Sequence, residues 1–102
     1  MTFVAFLVTV RIMIRSFIHK GLRDLFETGR SARVPPPFRA RCAEILDILD
    51  HATQLRDVNT PGSYFHKLQA TGRYAVSVNG PWRVTFEWEQ PDVYRVDLEQ
   101  YH

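Results

Sequence analysis

The strongest constraint on how this chain can fold lies in its second half, where three runs alternate apolar and polar residues with a period of two. They are Tyr74-Ala75-Val76-Ser77-Val78, Trp82-Arg83-Val84-Thr85-Phe86-Glu87-Trp88 and Val93-Tyr94-Arg95-Val96-Asp97-Leu98-Glu99. A period of two sends successive side chains to opposite faces of a β-strand. Asn79-Gly80-Pro81 joins the first two runs and Glu89-Gln90-Pro91-Asp92 the last two, both with the chemistry of hairpin turns. The reading is an antiparallel meander. Its middle strand turns Trp82, Val84, Phe86 and Trp88 toward a core, and Arg83, Thr85 and Glu87 away from it. The last run is expected to add Tyr94, Val96 and Leu98 to the apolar face and Arg95, Asp97 and Glu99 to the polar one. If that strand continues without a bulge, Tyr101 joins the polar face as well.

An apolar sheet face needs a cover, and the first half of the chain supplies it. Residues 13–18 read as a first strand and 20–27 as a short helix, with Ile18, Leu22, Leu25 and Phe26 on one stripe and Gly29 placed as a left-handed cap. Pro35-Pro36-Pro37 blocks helix up to its own end, where Pro37 can serve as a first helical residue. A second helix is expected over 38–52, with Phe38, Cys42, Ile45, Leu49 and Ala52 as its apolar stripe and Glu44, Asp47 and Asp50 on a solvated side. Residues 54–63 read as a loop, and 64–68 as the entry to the sheet. The order β-α-α-β-β-β-β describes an α+β domain, a mostly antiparallel sheet with two helices on one face. A length of 102 residues is that of one domain.

Residues 1–12 stand apart. They are apolar but shorter than the roughly 20 residues a membrane helix needs, and Arg11 and Arg15 interrupt the run. They also lack the basic start and small-residue cleavage site of a signal peptide. They read either as an added strand or apolar arm or, by preference, as an extension upstream of a natural start at Met13. No membrane association is expected. Cys42 is the lone cysteine, so no internal disulfide can form, which fits a reducing compartment. Its place on the apolar stripe makes it a core residue.

The net charge is only +2, but it is unevenly spread. Arg15, Lys20, Arg23, Arg30, Arg33, Arg39 and Arg41 face only Asp24 and Glu27 over 13–41, and no acid occurs over 58–86. A local basic patch on a nearly neutral protein suits a polyanionic partner. The strand pattern can bring His66, Arg73, Arg83, Tyr101 and His102 toward one open surface, with Lys67 beside His66.

Several of these runs resemble a known group. Met13-Ile14-Arg15-Ser16-Phe17, Gly21-Leu22 and Leu25-Phe26-Glu27-Thr28-Gly29 are similar to the start of HigB-type toxins of the RelE/ParE superfamily. The block Asn79-Gly80-Pro81-Trp82-Arg83-Val84-Thr85-Phe86-Glu87-Trp88 and the terminal Tyr101-His102 are similar to that group's Trp-Arg run and Tyr-His end. The similarity spans 13–102. It implies a RelE-like compact fold and the toxin of a type II toxin–antitoxin pair: a cytoplasmic, ribosome-dependent endoribonuclease that cleaves mRNA in the A site. The implied partners are a HigA-like helix-turn-helix antitoxin, mRNA on the 70S ribosome and, through the antitoxin complex, operator DNA. No cofactor or metal is implied.

The roles that follow are acid–base catalysis by His66 and His102, base stacking or a phosphate hydrogen bond by Tyr101, and charge stabilisation by Arg83. Lys67, Arg73 and Gln100 are the expected RNA or phosphate contacts. Gln100 departs from the group, which has Asp there, and Gln69-Ala70-Thr71-Gly72-Arg73 is shorter and less basic than the group's corresponding stretch. Two other functions compete: a non-catalytic, ParE-like poison of DNA gyrase, and a degenerate toxin that only binds its antitoxin.

Overall fold

The computed structural model describes residues 13–100. Residues 1–12, Tyr101 and His102, and the expectations that concern them, lie outside that range.

Helix α1 spans Lys20–Thr28. His19 caps its start, its Nδ1 accepting from the Leu22 N–H at 3.1 Å. Gly29 ends it at φ 78°, its N–H donating to the Leu25 carbonyl at 2.9 Å, the left-handed stop that only glycine adopts without cost. The helix buries Leu22 and Leu25, but Ile18 precedes it and is 43% exposed, so the expected stripe is shorter by one. Helix α2 spans Pro36–His51. It starts two residues earlier than expected because Pro36, not Pro37, takes the first helical position after an extended Pro35. Cys42, Ile45, Leu46 and Leu49 are buried along it. Asp50, expected on the solvated side, accepts the Met13 N–H at 3.2 Å. Within the expected loop, Leu55–Val58 forms a 3-10 turn. There Asp57 Oδ2 accepts from the backbone N–H groups of Thr53 and Gln54, each at 3.1 Å.

Strands β1 (His66–Lys67), β2 (Tyr74–Asn79), β3 (Trp82–Glu89) and β4 (Asp92–Gln100) form one antiparallel sheet in the order β1-β2-β3-β4. Gly80, at φ 55°, makes the tight turn between β2 and β3. On the helix side, Val76 pairs with Val84, and Val84 with Leu98. Phe86, fully buried, sits opposite Tyr74 with ring centroids 5.8 Å apart. These residues and the apolar faces of both helices make the single core.

The alternation of β4 breaks where the sequence pattern looked continuous. Thr85 faces Asp97 but Glu87 faces Tyr94, so three steps on β4 oppose two on β3. Arg95 is the bulged residue, at φ 51°. Beyond the bulge the faces exchange. Val93, opposite Trp88, is fully buried, and Tyr94 joins Glu87 on the polar side. This corrects the expectation that Tyr94 belongs to the apolar face.

The bulge also explains why residues 13–18 are not a continuous strand. They run parallel to β4 but touch it as two isolated bridges, Ile14 with Val93 and Phe17 with Val96. Between them the ladder is interrupted, and Ser16 Oγ accepts the Arg95 N–H at 2.9 Å in place of a backbone carbonyl. The expected α+β architecture, with a mostly antiparallel sheet and both helices on one face, is the one observed.

Candidate active site

The open face of the sheet carries a groove because its second strand has small side chains there. Ala75 and Ser77 form the floor. His66 on β1 pairs with Ala75, and Arg83 on β3 pairs with Ser77, so larger side chains rise on either side. Tyr64, Gly80, Pro81 and Trp82 complete a lining of about 390 Å³ that, among the described residues, contains no acid.

The His66 ring is oriented by its own backbone neighbourhood. Its Nδ1 lies 2.9 Å from the Tyr64 carbonyl oxygen. A carbonyl can only accept, so the bond requires a proton on Nδ1 and leaves Nε2 as the lone-pair nitrogen of the neutral ring. An imidazole held in this way can take a proton at Nε2 from a group in the groove.

The other predicted residues divide. Arg73 reaches across the polar face instead of into the groove. Its Nη1 donates to Glu87 Oε2 at 3.0 Å, and its Nη2 to Thr85 Oγ1 at 3.0 Å and to the Arg95 carbonyl at 2.7 Å. Only 12% of its side chain is exposed. Glu87 is held from the other side by Arg95 Nε at 3.1 Å, and the buried Thr85 hydroxyl donates onward to Glu99. The guanidinium expected on phosphate is thus the hub of an internal network. Lys67 pairs with Tyr74 and so falls on the opposite face from His66, its ammonium 5.9 Å from the centre of the Tyr74 ring. Gln100 is exposed at the end of β4, opposite Trp82. Tyr101 and His102 lie outside the described residues.

Arg83 borders a second depression of about 260 Å³, which Leu68, Gln69, Thr71, Arg73 and Glu99 also line. The guanidinium side chain therefore stands between two hollows on one face. Sequence reasoning missed Tyr64, Ala75 and Ser77 as parts of the site. The alternation over 74–78 carried the signal for the two small residues, since it put both on the open face beside Arg83. Nothing local in the sequence marks Tyr64.

Cys42 is fully buried on α2. Burial pushes its thiol up to about 11, with the nearby Arg41 charge pulling the other way. A protonated, enclosed thiol is a packing group and not a nucleophile.

Among the described residues, no helix is long and apolar enough to cross a membrane. Two comparisons place the chain among known proteins. Residues 15–102 match the family of HigB-like toxins, described as the RelE-like toxin of type II toxin–antitoxin system HigB. The chain is also 36% identical over 92 residues to the endoribonuclease HigB of Proteus vulgaris, an alignment that covers 88% of this chain and 100% of that protein. With the match running through both helices, the whole sheet and the groove, this chain belongs to the HigB-like family of RelE-like toxins of type II toxin–antitoxin systems.

Proposed function

We propose that this toxin is an endoribonuclease that cuts mRNA on translating ribosomes, with the groove between His66 and Arg83 as its reaction site. The observation that carries the reading is the orientation of His66: a ring whose Nδ1–H is tied to the Tyr64 carbonyl leaves Nε2 as a base beside a groove that Arg83 also lines and whose described lining holds no acid. The kinship to a protein named an endoribonuclease supports RNA as the substrate.

RNA carries its own nucleophile. His66 Nε2 removes the 2′-OH proton, the 2′-oxygen bonds to the adjacent phosphorus, and the bond from phosphorus to the 5′-oxygen breaks. The products are a 2′,3′-cyclic phosphate and a 5′-hydroxyl. His102 protonates the departing oxygen. Gln100, the last described residue, lies opposite the groove-lining Trp82. Arg83 places fixed positive charge on the phosphate as negative charge builds. Tyr101 and Gln100 contribute a stacking surface and a neutral hydrogen-bonding group. Arg73 keeps the face in shape. No step draws on a metal or cofactor. The antitoxin partner is a HigA-like helix-turn-helix protein whose complex with the toxin binds operator DNA, and the site of action is the cytoplasm, where ribosomes are.

The test is cleavage mapping on programmed ribosomes in EDTA. Wild-type protein should cut within A-site codons, and His66→Ala should be slower by about 10²–10⁴, the usual worth of a general base. Arg83→Ala should lose a comparable factor while remaining folded. Undiminished cutting by His66→Ala would sink the assignment. Double-strand DNA breaks with intact mRNA would favour the gyrase reading instead.

A further inference from the structure

We infer that Tyr64 is a stacking platform for a nucleobase of the RNA, set at the rim of the groove so that the base it holds fixes the neighbouring phosphate between His66 and Arg83. The inference rests on the endoribonuclease reading and names a residue through which the RNA is positioned.

Three independent observations converge on Tyr64. It is 79% exposed, far more than any other large hydrophobic residue among those described. A ring this exposed does nothing for the core, and it leaves apolar surface in water that a planar partner would cover. Its backbone lies at φ 49°, a left-handed conformation that side-chain-bearing residues seldom adopt and that glycine would accept without strain. Strained residues of this kind persist where surrounding structure holds them, and they gather at ligand sites. Tyr64 also lies two residues before His66 and supplies the carbonyl that orients the His66 ring. Backbone and side chain therefore have separate tasks: the carbonyl sets the base, and the ring is left to meet the substrate.

The chemistry of the groove selects the occupant. The floor is small and flat, made by Ala75 and Ser77, and the walls offer two aromatic residues, Tyr64 and Trp82, with one guanidinium, Arg83. A volume of about 390 Å³ falls within the range of sites that hold small planar ligands. Aromatic rings beside fixed positive charge, with no acid in the lining, are the features by which single-stranded nucleic acid is held: bases stack and the backbone is neutralised. Stacking tolerates any base, so Tyr64 governs affinity more than sequence choice.

The experiment compares wild type, Tyr64→Phe and Tyr64→Gly in steady-state cleavage of mRNA on programmed ribosomes, with thermal melting of each protein alongside. Glycine adopts φ 49° freely, so Tyr64→Gly keeps the carbonyl on His66 and removes only the ring. Tyr64→Phe should stay within about twofold of wild type. Tyr64→Gly should raise KM by about 5- to 150-fold, the range for loss of one base–aromatic stack, with kcat nearly unchanged and no loss of thermal stability. A Tyr64→Gly protein with wild-type KM overturns the inference and leaves the endoribonuclease reading standing. A fall in kcat alone would also overturn it, by showing that Tyr64 acts only through His66. A Gly variant that cuts normally but escapes neutralisation by the antitoxin would assign the ring to a protein contact and equally overturn it. Absence of cleavage by the wild-type protein would remove the endoribonuclease reading and this inference together.

Discussion

The guanidinium of Arg73 can be given a number. Replacing it by Met keeps the aliphatic stem and removes three hydrogen bonds: to Glu87, to Thr85 and to the Arg95 carbonyl. The pair with Glu87 is neither fully buried nor on the surface, at 12% and 36% side-chain exposure. Its loss should fall between the ~0–1 kcal/mol of an exposed pair and the ~3–5 kcal/mol of a buried one. Arg95 continues to bond Glu87 at 3.1 Å, so the carboxylate is not abandoned, and the Thr85 hydroxyl keeps Glu99. The Arg95 carbonyl is exposed and water can replace the donor. About 2–3 kcal/mol for the substitution is therefore expected. For a domain of this size that lowers Tm by about 10–20 °C. Thermal unfolding followed by circular dichroism measures it, and a double-mutant cycle with Glu87→Gln should return a coupling of about 1–2 kcal/mol. An Arg73→Met protein with unchanged Tm, zero coupling and lost RNA cleavage would refute the reasoning, and would return Arg73 to the role of phosphate ligand that its position in the sequence first suggested.

Other perturbations have equally definite outcomes. Because burial pushes the Cys42 thiol up to about 11, the native protein should react with a thiol reagent at neutral pH only as fast as it opens, and the reaction should become rapid in denaturant. The carboxyl of Asp57 is held below its ordinary value, first by the Thr53 N–H and then by that of Gln54. A depressed carboxyl stabilises the fold above its unfolded pKa and loses that contribution as pH falls through the lower folded value. Denaturation midpoints of wild type and Asp57→Asn should therefore differ at pH 6 and converge in acid below about pH 3.8, the ordinary value. Gly21→Ala should destabilise the start of α1, since the added methyl would meet Arg33 Cβ and the His19 ring at 2.7 Å. Unchanged melting would show that both neighbours can yield.

The parts of the fold that could be read from the sequence are those whose signals are local. Period-two alternation and Gly/Pro turns marked β2 and β3 to within a residue or so, and Gly29 marked the end of α1. The bulge at Arg95 could not be read, because its left-handed backbone is imposed by pairing on both sides of β4 and by Ser16, 79 residues earlier in the chain. That single residue misassigned the face of Tyr94 and made a continuous strand of 13–18. The site shows the same division. His66 and Arg83 were placed on one surface by strand parity, and the structure brings both to the groove. The engagement of Arg73 depends on partners 12, 14 and 22 residues away, which no window of sequence connects. For Tyr64 the decisive facts are a positive φ and high exposure, and both are tertiary.

The interrupted pairing of residues 13–18 with β4 has a consequence for how the molecule behaves among copies of itself. β4 is the longest strand of the sheet. Left bare, its outer row of backbone donors and acceptors would be an aggregation template. The bonds from Arg15 and Ile18 N–H, and those to the Met13 and Ser16 carbonyls, satisfy much of that row. The opposite margin is only the two-residue β1, followed by Ser63 accepting from Ser77 N–H. Both margins are therefore short or covered, and a chain truncated past Ile18 would gain a sticky, self-pairing border while keeping every residue of its groove.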